Sequence, residues 1–340
     1  MSTSIYVGQN GMNFLGKNQD IPYGGAYVFT NLRNIAKRAM VMPPEQPVEW
    51  CSLYGSVTVS QVGKEMPNGG MNEAGLVVEQ TTLWQSSYPE DKTLPAIGEL
   101  PWIQLMLDTC ASVQEVIETA SSVRIIDPMS RLHYIVCDRL GDCAIVEFLN
   151  GQMNVYRGET LPVAIIANTA YAQAIKALED PEESWRENYD DYSRNSMERF
   201  IKAAASVARP FPVGVEEQID YMFEALRAAQ REDTIYSLVY DVDRKEVHFL
   251  TNRHQQRTII CFEELDFSLD SDAKVLDLQQ SDGGYCNERF EVYTANINRK
   301  VVESFFNNPV LTEAFGWTIT EEMITFMASF PDMYQRTQKR

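Results

Sequence analysis

Ser2-Thr3-Ser4-Ile5-Tyr6-Val7, then Gly8-Gln9-Asn10-Gly11, then residues 12–16: a short β-prone run, a cluster of turn residues and a second run that returns. The pattern predicts a hairpin whose first strand begins at residue 2, which places the extreme N-terminus inside a sheet. Further strands are predicted over residues 52–62 (SLYGSVTVSQV) and, after the turn Pro67-Asn68-Gly69-Gly70, from Gly75-Leu76-Val77-Val78 to near Trp84. Helices follow. Pro101 suits a first helical position before WIQLMLDTC, and Ser112-Val113-Gln114-Glu115 is a capping-box pattern opening a helix to about Ala120. Strands return with LHYIVC (132–137), a polar turn at 138–142, CAIVEF (143–148), a turn at Asn150-Gly151 into MNVYR, and PVAIIA (162–167). Two more helices are predicted at about 193–207 and 216–230, then a hairpin, TIYSLVYDVD and EVHFLT, turning at Arg244-Lys245. The acidic stretches 179–191 and 263–272 read as solvated loops. This order predicts an α+β layered fold with antiparallel sheets, since a doubly wound parallel sheet needs steady strand–helix alternation.

A length of 340 residues predicts about two domains at ~150 residues each, or one large one. The formal charge of −19 argues against a partner that tracks nucleic-acid phosphates and against docking on anionic lipid. Hydrophobic residues make up 44%, enough for a sizeable core. Six cysteines lack CxxC spacing, so neither a zinc site nor a dense disulfide framework is expected. Cys137 and Cys143 are placed to face each other across a hairpin, as a disulfide or as two buried thiols. No bilayer-spanning run and no signal peptide is visible, so the chain as written reads as cytoplasmic; if Met1 stands where a signal peptide was removed, it reads as periplasmic. GxSxG, HExxH and Walker patterns are missing. The three histidines, His133, His248 and His254, have no evident nucleophile beside them, and the first two lie in strand patterns as structural residues.

An amidase without a histidine base can use the chain's own α-amine, whose ordinary pKa of about 7.7–8.0 leaves a useful neutral fraction near neutrality. Removal of Met1 would present Ser2 with hydroxyl nucleophile and amine base on one residue.

Several short elements recur in one order: Gly16-Lys17-Asn18-Gln19-Asp20; Gly69-Gly70-Met71-Asn72-Glu73-Ala74-Gly75-Leu76-Val77-Val78-Glu79; Leu132 to Asp138; Ala144 to Phe148; Asn168-Thr169-Ala170-Tyr171; Ser196 to Phe200; Val239-Tyr240-Asp241 with Phe249-Leu250-Thr251. In this order and spacing the chain resembles the choloylglycine hydrolase family of N-terminal-nucleophile amidases, which contains bile salt hydrolases and penicillin V acylases. The resemblance covers about residues 2–260, and GMNE-x-GL is its most specific element. It implies a four-layer αββα sandwich of two stacked antiparallel sheets, as one domain over residues 2–340. Ser2 falls where the family has its nucleophilic Cys, Asp20 on its Asp that holds the nucleophile or its ammonium, and Asn168 on its oxyanion-hole Asn. Arg199 falls on an Arg that organises the site's charges. Lys17 replaces the usual Arg and keeps charge without the bidentate fork. Thr82 stands where bile salt hydrolases have Asn and penicillin V acylases often Tyr, and its backbone N–H would complete the oxyanion hole.

The resemblance thus implies an amidase acting on a small-molecule N-acyl amide of penicillin V or bile-salt type, with no metal or cofactor, as a homo-oligomer (dimer or tetramer). The alternative is a silenced member that binds ligand without turnover, because Ser2 replaces Cys. Acyl transfer to an acceptor other than water needs the same site. Trp84, Tyr23 and Tyr171 are candidates to line the acyl pocket or to sit in the core. Trp317 with Met323, Phe326 and Met327 reads as a helix packing on the domain or on another subunit.

Overall fold

The computed structural model describes residues 1–337 apart from 10, 127 and 281. Two large sheets dominate. The first has seven strands in the order Ile165–Ile166, Ser2–Gln9, Met12–Asp20, Thr234–Asp241, Glu246–Thr251, Thr258–Cys261 and Gly284–Tyr285. The second has nine: Gln152–Arg157, Cys143–Leu149, Leu132–Cys137, Val77–Thr82, Gly69–Asn72, Ser56–Ser60, Tyr27–Asn31, Lys274–Asp277 and Glu291–Val292. All neighbours are antiparallel except Thr258–Cys261 with Gly284–Tyr285. The N-terminal hairpin forms from residue 2, with Ser2 opposite Gln19; of its predicted turn, Asn10 lies outside the described residues.

Strand alternation explains the layering. Ile5, Val7 and Leu15 of the first sheet meet Val57, Val59, Val77, Ile135 and Ile145 of the second in one core. The next residues along the same strands, Val78, Tyr134, Val136, Ala144 and Val146, join a different core. The central strands of the second sheet are therefore buried on both faces, and two of them, Leu132–Cys137 and Cys143–Leu149, are mostly apolar. That second core is closed by α1 (Glu99–Thr109) and α2 (Val113–Ser121) through Trp102, Ile103, Leu107, Val113 and Val116. On the other side α3 (Tyr171–Leu178), α4 (Asp191–Val207) and α5 (Val215–Ala228) cover the first sheet with Ala174, Phe200, Ala203, Met222 and Leu226. The fold is thus the expected four-layer αββα sandwich. Gly16 permits the close contact of α5, since a Cβ there would stand 3.1 Å from Leu226 Cδ1. The C-terminal helices α6 (Ala295–Phe306), α7 (Pro309–Phe315) and α8 (Glu321–Ser329) pack beside α1, and Asn308 caps α7 while Gly316 ends it at φ +64°.

Several local expectations shift. Pro101 is the third residue of α1, which opens at Glu99. Ser112 caps α2 by accepting the Glu115 N–H, but the Glu115 carboxylate turns back to the Ala111 N–H instead of Ser112, so half of the box forms. The 52–62 strand shortens to Ser56–Ser60, and the 162–167 strand to Ile165–Ile166. The acidic loops are not wholly solvated: each drives one aromatic inward, Trp185 and Phe267, because a buried ring outweighs the polarity of its neighbours. Cys137 and Cys143 do pair across the hairpin, as free buried thiols. In α8, Met327 is buried while Met323 and Phe326 are exposed. Among the described residues no helix is long and apolar enough to cross a membrane.

Candidate active site

Neighbouring strand ends of the first sheet and one helix meet at the N-terminus. Ser2 starts its strand beside Gln19 and Asp20, the last residues of the adjacent strand. Asn168 follows Ile165–Ile166, which pairs with the same first strand (Ser4 opposite Ile166). Arg199 enters from α4, and Thr82 ends a strand of the facing sheet. Short loops at sheet ends thus place residues far apart in sequence around one point.

The geometry is tight. Ser2 N donates to Asn168 Oδ1 at 3.0 Å, and Asn168 Nδ2 donates to the Thr82 carbonyl at 2.8 Å. Arg199 reaches across the group, donating to the Ser2 carbonyl at 2.7 Å, Thr3 Oγ1 at 2.6 Å and Asn168 Oδ1 at 2.6 Å. Its guanidinium lies 3.9 Å from Asp20 Oδ2, while Asp20 Oδ1 accepts from Thr234 Oγ1 at 2.6 Å. Asp20 Oδ2 itself accepts no hydrogen bond among the described residues. Burial is the main reason Arg199 is pulled down to about 10, still a cation at neutral pH, with Asp20 opposing the shift.

Met1 precedes Ser2 in this chain. Its amine donates to the Asp20 carbonyl at 2.7 Å, and burial lowers it to about 6 against the pull of the Asp20 carboxylate. The Ser2 hydroxyl donates to the Met1 carbonyl and lies 3.3 Å from Gln19 Oε1. This corner therefore holds an α-amine largely neutral at pH 7 beside a carboxylate and a guanidinium.

Ser2, Asp20, Asn168, Arg199 and Thr82 are brought together. Thr82 contributes its carbonyl to Asn168, a contact distinct from the backbone N–H that was expected to act. Lys17 lies one step deeper between the sheets, fully buried, 3.3 Å from Glu79 Oε2 and bonded to the Gln80 carbonyl. It supports the strand that carries Gln80 and does not line the cleft.

A cleft of about 190 Å³ opens at Ser2. Its polar end holds Gln19, Asp20 and Gln80, and its apolar wall is made by Trp84, Leu132, Phe305, Phe315 and Trp317. Phe315 stacks on Trp317 with ring centres 4.8 Å apart, and Trp84 meets Phe315 at 6.2 Å. Of the three predicted pocket aromatics, Trp84 is in the wall. Tyr23 backs it, edge-on to Phe305, with its hydroxyl on Ser304. Tyr171 is core instead, beside Tyr156 and Phe200, because its hydroxyl is tied to the Val163 carbonyl. Phe305, Phe315 and the cleft-lining role of Trp317 escape sequence reading, since they belong to a region beyond the residues that carry the motifs.

Behind Asn168 lies a positioning set. His133 Nε2 donates to the Ala167 carbonyl at 2.9 Å, its Nδ1 lies 2.7 Å from Glu147 Oε1, and the Asn168 N–H donates to Ser196 Oγ at 2.7 Å. His133 is thus structural, as its strand pattern implied.

Comparison with known proteins fits this geometry. The family model described as acyl-coenzyme A:6-aminopenicillanic acid acyl-transferase matches residues 8–256, well over half of the chain. The chain belongs to this acyl-transferase family. The penicillin V acylase of Pectobacterium atrosepticum is 29% identical to this family member over 132 residues, 34% of this chain and 35% of the relative, so the match spans about a third of that relative's length. The structure of penicillin V acylase from Agrobacterium tumefaciens superimposes with a TM-score of 0.73 at 25% identity, over 86% of this chain and 98% of that one. A mutant of conjugated bile acid hydrolase from Clostridium perfringens gives a TM-score of 0.64 at 16% identity over 84% and 98%, a likeness of fold. The choloylglycine hydrolase-type resemblance drawn from the motifs is borne out by these matches.

Proposed function

We propose that this chain, once Met1 is removed, hydrolyses the C–N bond of a linear N-acyl amide through an acyl-enzyme on Ser2. The observation that carries the reading is the buried cluster of Ser2, Asn168, Arg199 and Asp20, of which Ser2 and Asp20 line an aromatic-walled cleft. Losing Met1 converts the Ser2 N–H that meets Asn168 Oδ1 into a free amine, and releases the Ser2 hydroxyl from the Met1 carbonyl. The neutral amine takes the hydroxyl proton as Ser2 Oγ bonds to the acyl carbon. Asn168 Nδ2–H and the Thr82 backbone N–H meet the oxyanion, and the Asp20 carboxylate faces the ammonium. The ammonium proton passes to the departing nitrogen as the C–N bond breaks. Water then attacks the ester, the amine takes its proton, and the carboxylic acid leaves as Ser2 is restored. Arg199 and Lys17 hold the strand ends in place. The aromatic wall suits an aryl or ring-bearing acyl group, of penicillin V or conjugated bile-salt type.

A second reading is a binding protein without turnover. Ser2 at the position of the family's Cys favours it, because a hydroxyl ionises far less readily than a thiol. Acyl transfer in place of hydrolysis uses the same first step. Intact mass of the purified protein is expected to lack Met1, and Ser2→Ala to abolish amide hydrolysis. Ser2→Cys is expected to raise turnover on penicillin V, conjugated bile salts or N-acyl amino acids. Activity persisting in Ser2→Ala overturns the proposal, and tight binding with no turnover in either the wild type or Ser2→Cys supports the binding protein.

A further inference from the structure

At the opposite end of the Thr234–Asp241 strand from the cleft, three metal-ligating side chains converge. Asp241 and Glu246 pair across the hairpin, and His248 follows Glu246 by two residues, so all three lie on one face of the sheet. One carboxylate oxygen from each acid and one His248 ring nitrogen all lie within 4.8 Å of one another, with Glu246 Oε2 3.2 Å from His248 Nε2. Asp241 and His248 are 0% and 1% exposed, and Glu246 is half-buried.

The protein's own hydrogen bonds leave this cluster unfinished. Asp241 Oδ1 accepts the Arg244 N–H at 3.0 Å, and Glu246 Oε1 accepts the Tyr285 hydroxyl at 3.1 Å. Each acid is thus oriented through one oxygen. Among the described residues, Asp241 Oδ2 and both ring nitrogens of His248 have no hydrogen-bond partner, while His248 Nε2 lies 3.2 Å from Glu246 Oε2. The Arg244 guanidinium stands 3.9 Å from Asp241 Oδ2, on a side chain 45% exposed. Buried polar atoms left without partners are costly, since folding has stripped them of water. A cation between the three would satisfy them together.

We propose that Asp241, Glu246 and His248 form a binding site for a divalent transition-metal ion of the zinc class. Asp241 Oδ2, Glu246 Oε2 and His248 Nε2 supply three ligands, and water completes a tetrahedron. One imidazole among two carboxylates favours zinc over magnesium or calcium, which prefer all-oxygen shells. The second oxygens of both acids, held by Arg244 and Tyr285, are the outer support that such ligands need. The ion closes the hairpin about 23 Å along the strand from Thr234, at about 3.3 Å per residue. Its role is to clamp the strand whose other end orients Asp20, with no part in bond cleavage.

The test uses the full chain, stripped with chelator and dialysed. Calorimetric titration with ZnCl2 is expected to show one equivalent bound, and the melting temperature to rise until that equivalent is filled. His248→Ala and Glu246→Gln should each weaken binding by at least about tenfold. Glu246→Gln changes a half-buried residue at a strand end, so it reports even if His248→Ala misfolds. No stoichiometric binding by the wild type overturns the site, as does undiminished binding in folded Glu246→Gln. MgCl2 giving the same saturable shift overturns the zinc assignment.

Discussion

Glu99 shows how far a single side chain's chemistry depends on its surroundings. In the sequence it is an acid one residue before a Leu-Pro pair, indistinguishable from a surface first-turn acid. In the structure it lies in the cleft wall at the start of α1, 4% exposed, accepting the Ser130 N–H at 2.9 Å. Burial raises its carboxyl from 4.5 to about 7. The native state therefore holds more protons than the unfolded chain between about pH 4.5 and 7, and stability falls as pH rises through that window. Glu99→Gln is expected to stabilise the protein by about 1–3 kcal/mol at about pH 8 and to change little at about pH 4.5, read by urea unfolding. In the form that still carries Met1, its amine slopes the other way. Its value falls from 8.0 to about 6, so the unfolded chain binds more protons in that interval and stability rises with pH across it. Acetylating this amine should flatten the rise in the same unfolding series.

At the scale of elements, the most specific motif turns out to be architectural. Asn72 of the GMNE segment spends all its hydrogen-bonding capacity on the fold. Its Nδ2 donates to the Leu107 and Cys110 carbonyls at the end of α1, and its Oδ1 accepts from the Ala74 and Leu76 N–H groups. Gly70 in the same strand leaves no room for a side chain, since a Cβ would fall 2.5 Å from the Val57 carbonyl oxygen. Asn72→Ala should destabilise by about 3 kcal/mol or more, because two helix-end carbonyls and two turn N–H groups lose their partner in a buried place. Gly70→Ala should cost a similar amount through strain against backbone. Thermal or urea unfolding checks both, and amide hydrolysis per folded molecule should be preserved. This motif was legible because its residues are consecutive and its turn is local, although the helix end that Asn72 clamps lies 35 and 38 residues away. Of the aromatic wall only Trp84 was legible, because Phe315 becomes its neighbour only once the C-terminal helices have packed.

For the whole molecule, the charge of −19 is spread over surface loops and helix faces while the site keeps its own balanced pair, Arg199 with Asp20. Surface self-repulsion is screened by salt, so the melting temperature should rise between about 0.02 M and about 0.5 M NaCl. The buried pair is shielded from that screening. The layered architecture was readable from the chain because short β-prone runs, such as residues 132–137 and 143–148, are separated by turn residues and grouped between helical stretches. The strand beginning at Ser2 and the motif order are what led to the proposal that Ser2 is the nucleophile. What only tertiary structure decided was proximity and burial. Folding put Asn168 and Arg199 against Ser2, set Lys17 against Glu79 away from the cleft, and gave the cleft its wall from α6 and α7. The reason is physical: alternation and capping are local signals written along the chain. Contacts between residues far apart in the chain, and the pKa values that burial shifts, depend on how layers pack.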